Sequence, residues 1–156
     1  MVIGVRELNG DSGHNAGRAL LAELYRQQTG EALPEIEILP QGKPVFRDRK
    51  WHFSISHTKR RAFCALSETP VGIDAEEQDR SVDLRLANKI LSPAERVRYG
   101  AAADPRIALL RLWVLKEAYA KLTGRGWGSY LYETDFDPDD PRVQEINGCF
   151  VAIIEQ

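Results

Sequence analysis

Asp74 and Glu76 stand two residues apart in the run Val71-Gly72-Ile73-Asp74-Ala75-Glu76. On an extended strand alternate residues share a face, so the two carboxylates point one way while Val71, Ile73 and Ala75 face a core. Such a pair repels itself unless a cation or a base lies between, and ligands that are all oxygen suit a hard ion such as Mg²⁺. A strand running out into an acidic, solvated loop with Glu77 and Asp79 accounts for the same residues. Trp113, Glu117 and Lys121 recur at i, i+4 and i+8 and form one stripe of a helix, acid and base along it. An ordinary Glu117 to Lys121 ion pair of about 0.3–0.5 kcal/mol explains that spacing without any chemistry. Against it, the neighbours Ala118 and Leu122 make the segment mostly apolar, where idle charges are expensive. His57 ends a strand ahead of Thr58 and Lys59-Arg60-Arg61, placed either to donate to a phosphate beside other cations or to close a core as a neutral ring. Lys43, between Gly42 and Pro44, is a loop lysine that is either solvated or aimed at an anion. Other chemistries are excluded. There is no Walker loop, Gly124, Gly126 and Gly128 follow a helix rather than a strand, the histidines form no HExxH, and Ser54, Ser56 and Cys64 lack a triad partner by spacing.

These residues need elements to hold them. The 156 residues, 43% hydrophobic, suit one domain that hides about 70% of its unfolded surface. The 21 basic and 23 acidic residues give a net charge of −2, with no global basic footprint for nucleic acid. Locally, residues 41–61 carry seven bases and one acid, and residues 74–83 carry five acids and one base. Adjoining fields of opposite sign suit either solvated loops or a phosphorylated ligand with its metal ion. Cys64 and Cys149, far apart and without CxxC spacing, argue against a disulfide framework or a structural zinc and fit a reducing, cytoplasmic setting. Arg6 and Glu7 interrupt the first ten residues, so no signal peptide is read there, and no stretch approaches the ~18 apolar residues of a membrane span.

Periodicity predicts a strand over residues 2–8 and a helix over 16–28 with Leu20, Leu21 and Leu24 on one face and a stop at Gly30. A strand over 35–39 is broken by the residues from Pro40 to Pro44. Residues 51–57 alternate, with Trp51, Phe53, Ile55 and His57 on the inward face. Strands over 62–66 and 71–75, joined by a hairpin through 67–70, extend this into an antiparallel sheet. A helical face spans 84–91, Ser92-Pro93-Ala94-Glu95 is a capping box, and the strongest helix runs from Asp104-Pro105 to Thr123-Gly124. A loop over 124–128, a strand over 130–136, a turn over 137–141 and a strand over 149–154 complete the chain.

Taken in order, Gly42-Lys43-Pro44, Phe53-Ser54-Ile55-Ser56-His57-Thr58, Val71-Gly72-Ile73-Asp74-Ala75-Glu76 and the run Trp113-Val114-Leu115-Lys116-Glu117-Ala118-Tyr119-Ala120-Lys121 resemble the successive motifs of the 4'-phosphopantetheinyl transferases. The likeness, over about residues 16–136, is to the surfactin-synthetase-activating type, because the Lys-Pro and Ser-His motifs precede the Gly-Ile-Asp one. It implies an α+β fold with a pseudo-twofold pair of small antiparallel sheets, each packed by helices, in a single domain of halves 1–70 and 71–156. It also implies coenzyme A in the cleft between halves, so that a monomer suffices. By the same resemblance Asp74, Glu76 and Glu117 match Mg²⁺ ligands. Lys43, Pro44, Ser56, His57, Asp74, Lys116 and Lys121 match coenzyme A contacts, and Glu117, Asp74 and Lys121 match the catalytic positions.

Two departures stand out. Only 41 residues precede Gly42, where the larger type has a longer arm whose basic residues reach the 3'-phosphate, and His14 and Arg18 are the available substitutes. Ala75 is smaller than the usual bulky residue between the acids. The resemblance thus implies a Mg²⁺-dependent transfer of phosphopantetheine to an acyl or peptidyl carrier protein in the cytoplasm, with no nucleic acid or membrane partner. A catalytically inactive coenzyme A or carrier-binding module and a metal-dependent phosphoesterase built on the same acids are the alternatives.

Overall fold

Alternation along residues 52–67 produces a hairpin in which β4 (His52–His57) pairs antiparallel with β5 (Arg61–Ser67). β1 (Val2–Glu7) adds to the far edge of β5, giving a three-stranded sheet in the order β1-β5-β4. The structure, a computed structural model, describes residues 1–126, 128, 132 and 134–156. α1 (Gly13–Thr29) starts at Ser12, whose hydroxyl accepts from the Asn15 N–H, and it buries Leu20, Leu21, Leu24 and Tyr25 against one face of this sheet, where Phe53, Cys64 and Leu66 meet them. A two-stranded ribbon, β2 (Ile36–Ile38) with β3 (Pro44–Phe46), adds Phe46 to that core.

The second half repeats this plan with different sequence. β6 (Val71–Glu77), β7 (Val143–Ile146) and β8 (Cys149–Glu155) form an antiparallel sheet in the order β6-β8-β7, and α4 (Pro105–Thr123) lies across it. Period-two alternation divides each strand between two cores. Phe150, Ala152 and Ile154 join Leu109, Leu112, Val114 and Leu115 under α4. Val71, Ile73, Ala75, Cys149, Val151 and Ile153 meet Phe63 and Ala65 between the sheets, so the layers run helix, sheet, sheet, helix. Along the seam the Ser54 hydroxyl accepts from the Ile73 N–H at 3.0 Å, and the Ser56 hydroxyl from the Ala75 N–H at 3.3 Å. Antiparallel sheets packed by helices are the expected α+β architecture.

α4 can lie this low because β6 has no side chain at Gly72. A Cβ there would stand 2.0 Å from the Ala118 carbonyl oxygen and 2.7 Å from the Leu122 nitrogen, both backbone atoms that cannot turn aside. Gly72→Ala is expected to cost about 3 kcal/mol through forced displacement of α4, read as a lowered urea midpoint with unchanged slope.

Several expectations are corrected. The connection over 67–70 is not a hairpin: it crosses between sheets, because the Pro70 carbonyl accepts from the Gln156 N–H and Glu155 accepts from Ser67 and Thr69. β3 starts at Pro44, inside a segment read as a break, and β7 precedes an Asn147-Gly148 turn with both residues at positive φ, a hairpin signal passed over in the sequence. The helical face over 84–91 is a 3-10 turn (Leu84–Leu86) followed by the single turn α2 (Ala87–Ile90). α3 (Pro93–Gly100) begins at the expected capping box. Of the strand expected over 130–136, Tyr130, Leu131 and Glu133 lie outside the described residues, as does Trp127 of the preceding loop; Tyr132 and residues 134–136 are in no strand.

Candidate functional site

A cleft of about 630 Å³ opens where the start of α1, β4, β6 and α4 come together. α1 contributes His14 and Arg18, β4 contributes Phe53, Ile55, Ser56 and His57, β6 contributes Asp74, Ala75 and Glu76, and α4 contributes the stripe Trp113, Glu117 and Lys121. A side lobe of about 280 Å³ shares Pro44, Glu117 and Lys121 and adds Lys43. The fold therefore gathers residues from four separated motifs around one hollow, which helical and strand spacing alone do not require.

Asp74 is 6% exposed, and its Oδ1 accepts from the Ser56 hydroxyl at 2.8 Å and from the Lys121 ammonium at 2.7 Å. Lys121 also donates to the Ile55 carbonyl at 3.3 Å, which ties α4 to β4 across the cleft. Glu76 is held in an ion pair with Arg80, whose guanidinium lies 5.8 Å from the centre of the Trp113 ring. Asp74, Glu76 and Glu117 line the cleft with hard oxygens, the donor type a divalent ion such as Mg²⁺ takes, and positive groups already stand against two of them. Among the described residues no three acidic, histidine or cysteine side chains converge into a ready-made metal cluster, since Asp74 and Glu76 turn toward Lys121 and Arg80.

His57 is not inward. It is exposed at the rim, its ring against Gly13, where a Cβ would come within 2.4 Å of the ring Cγ. The close approach of α1 to β4 at Gly13 is what sets His57 at the cleft mouth. Lys43 donates to the Leu122 carbonyl at 2.5 Å, at the C-terminal end of α4 where cations are favoured, and burial pushes its ammonium below the ordinary lysine range. Arg18 is half-buried and has no ion-pair partner among the described residues.

Lys116 does not join them. It is 0% exposed, its Nζ lies 2.9 Å from Glu95 Oε2, also 0% exposed, and it sits 5.9 Å from the Phe136 ring centre. One residue before Glu117 on a helix means about 100° away, which turns Lys116 into the core behind α4 rather than into the cleft. Glu95 is fully used there, accepting from the backbone N–H groups of Ser92 and Phe136 as well.

Two participants escaped the sequence reading. Arg80 is the one base in the acidic run, four residues past Glu76, and that spacing was the available signal. Glu77, read as a solvated loop acid, is buried and accepts from Thr58 at 2.6 Å, Arg60 at 3.1 Å and Arg61 at 3.5 Å, fixing the turn just beyond His57. The thiols are unsuited to nucleophilic work: burial raises Cys64 to about 12, and burial with the nearby Glu77 carboxylate raises Cys149 to about 11.

The sequence profile of the 4'-phosphopantetheinyl transferase superfamily matches residues 70–152. The chain is 34% identical over 112 residues to the 4'-phosphopantetheinyl transferase psf-1 of Bacillus pumilus, covering 70% of this chain and 47% of that protein. It is 36% identical over 141 residues to the 4'-phosphopantetheinyl transferase gsp of Aneurinibacillus migulanus, covering 85% of this chain and 58% of that protein. To the 4'-phosphopantetheinyl transferase Sfp of Bacillus subtilis it is 33% identical over 88 residues, 54% of this chain and 39% of that protein. The chain thus spans about half the length of the curated relatives it matches.

Proposed function

Because the chain belongs to the 4'-phosphopantetheinyl transferase superfamily, we propose that it transfers the 4'-phosphopantetheine group of coenzyme A to a serine of an apo acyl or peptidyl carrier protein, releasing 3',5'-ADP. The observation that carries this reading is the convergence of Asp74, Glu76, Glu117 and Lys121 on one cleft with Arg18 and His57 at its edge. Three carboxylates beside several cations match a doubly charged pyrophosphate together with its counter-ion better than they match an apolar ligand.

Asp74, Glu76 and Glu117 would hold Mg²⁺, which when bound supplies charge neutralisation at the pyrophosphate. The chain's own groups do the rest. Lys121, anchored between Asp74 and the Ile55 carbonyl, presents a fixed positive charge to a phosphate oxygen. Ser56 acts through Asp74: it accepts from the Ala75 N–H and donates to the carboxylate, setting that side chain's orientation. His57 and Arg18 at the mouth, and Lys43 in the side lobe, hold the remaining phosphates and the adenine end of coenzyme A, with Pro44 shaping the wall. Glu117, directly or through a water, takes the proton of the carrier serine hydroxyl as its oxygen bonds to the β-phosphorus. The bond from that phosphorus to the bridging oxygen breaks, and the electron pair leaves with 3',5'-ADP.

The reading treats residues 1–70 and 71–156 as halves of one unit with the cleft between them, so a single chain suffices. Buried free thiols support a reducing cytoplasm, and neither nucleic acid nor membrane is needed; no helix among the described residues is long and apolar enough to cross a membrane. The test is intact mass of a panel of apo carriers after incubation with the protein, coenzyme A and Mg²⁺. A gain of one phosphopantetheine, lost without Mg²⁺, is expected. Coenzyme A binding by calorimetry with no mass gain on any carrier would replace the transferase by a binding module, and coenzyme A hydrolysis without a carrier would indicate a phosphoesterase. Arg18→Ala is expected to weaken coenzyme A binding about tenfold, the worth of one charge-assisted contact to phosphate, as read by the same calorimetry.

A further inference from the structure

The acids of the cleft are paired unequally. Lys121, on Asp74, is braced by its second bond to the Ile55 carbonyl, and the other Asp74 oxygen makes no hydrogen bond within the protein among the described residues. Asp74 can accept a further cation and keep Lys121. Glu76 differs: its partner Arg80 is 42% exposed, makes no other side-chain hydrogen bond among the described residues, and has the Trp113 ring as a second resting place. The turn that carries Arg80 is fixed while the side chain is not. The backbone N–H of Arg80 donates to the Glu77 carbonyl at 3.0 Å, and Arg106 at the start of α4 donates to the Gln78 carbonyl at 2.6 Å.

We infer that the Arg80 guanidinium and a divalent cation exchange at Glu76, so that Arg80 sets the cation affinity of the cleft. A guanidinium and a divalent ion on one carboxylate repel each other at contact distance, and the weaker-held group yields. Arg80 yields at low cost, because an arginine released from the carboxylate keeps its stacking on an indole face and gains water on its exposed side. The inference rests on the reading of Asp74, Glu76 and Glu117 as cation ligands, and it assigns Arg80 a role as competitor, not as a ligand or a catalytic residue.

The experiment is Mn²⁺ binding to the full chain in the absence of coenzyme A, followed by the loss of the free-ion electron paramagnetic resonance signal. It compares the unaltered protein, Arg80→Gln and Arg18→Gln. Arg18 lines the same cleft without a carboxylate partner among the described residues, so its removal reports the through-space effect of one lost charge. Arg80→Gln is expected to tighten Mn²⁺ binding about fivefold, the worth of a partly exposed ion pair plus its ring contact. Arg18→Gln is expected to change it less than about twofold, as screening of a separated charge dictates. Equal affinity of Arg80→Gln and the unaltered protein overturns the exchange and leaves the cation site standing. Equal tightening by both variants also overturns it, reducing the effect to a general field. Absence of Mn²⁺ binding in all three overturns the exchange together with the metal reading.

Discussion

Glu117→Gln is expected to reduce phosphopantetheine transfer by about 10² to 10⁴, the range a positioned general base supplies, with the thermal midpoint unmoved. Glutamine keeps the shape and reach of the side chain but can neither take the serine proton nor offer an anionic ligand. Glu117 lines both the main cleft and its side lobe, from the half-buried stripe of a helix whose fully buried residues lie on its other face. The measurement is the initial rate of carrier mass gain at saturating coenzyme A, paired with coenzyme A affinity by calorimetry. Loss of rate with affinity kept within about threefold places the defect in the chemical step, since a change made only in the transition state leaves ground-state binding nearly intact. A rate within tenfold of the unaltered protein would remove Glu117 as the base. Raising the pH should not rescue the variant, because no titration restores a carboxylate at that position.

Lys116→Met acts on the fold instead of on the reaction. It is expected to cost about 3–5 kcal/mol of stability, the penalty for leaving one member of a buried ion pair alone. The side chains of Lys116 and Glu95 are both 0% exposed, so no water replaces the lost ammonium, and the Ser92 and Phe136 N–H groups satisfy the carboxylate only in part. Methionine keeps most of the stem volume, so the loss is electrostatic rather than a cavity. The double variant Lys116→Met/Glu95→Gln should recover part of it, because the buried charge is gone and the amide oxygen can still accept from one of the two N–H groups, while the other loses its acceptor. Urea unfolding of the two variants checks the stability, and coenzyme A affinity of Lys116→Met well below its midpoint checks the location. An affinity within twofold of the unaltered protein is expected. A large loss of affinity with little loss of stability would return Lys116 to the ligand.

The contrast between these adjacent residues shows what the sequence can and cannot say. Spacing placed Trp113, Glu117 and Lys121 on one helix stripe and Asp74 with Glu76 on one strand face, and both stripes line the cleft, because helical and strand periods are local properties of the backbone. Lys116 shares their motif but not their stripe. Its true partner, Glu95, is the capping-box acid of another helix, and only tertiary packing brings the two together. Alternation alone points His57 inward, yet β4 ends at the cleft mouth and its serine face is the covered one, since Ser54 and Ser56 bond to β6. The hairpin expected after β5 failed for the same reason. The strand expected over 71–75 forms, extends to Glu77 and pairs with 149–155, and nothing near residue 70 announces a partner that distant.

That pairing also orders events as the chain is made. β1, α1, β4 and β5 are all in hand by Ser67, so the first helix and sheet can close on themselves while the rest is still being synthesised. β6, with both its acids, comes next, but its in-sheet neighbour begins only at Cys149. Through that interval the surface offered to β6 is the finished β4, where the Ser54 and Ser56 hydroxyls meet its Ile73 and Ala75 N–H groups. The first half is thus expected to serve as a template on which an otherwise unpaired strand is laid down. The two seam serines, one of which also orients Asp74, are thereby expected to act as early guides in vectorial folding, keeping an exposed strand from straying to another chain.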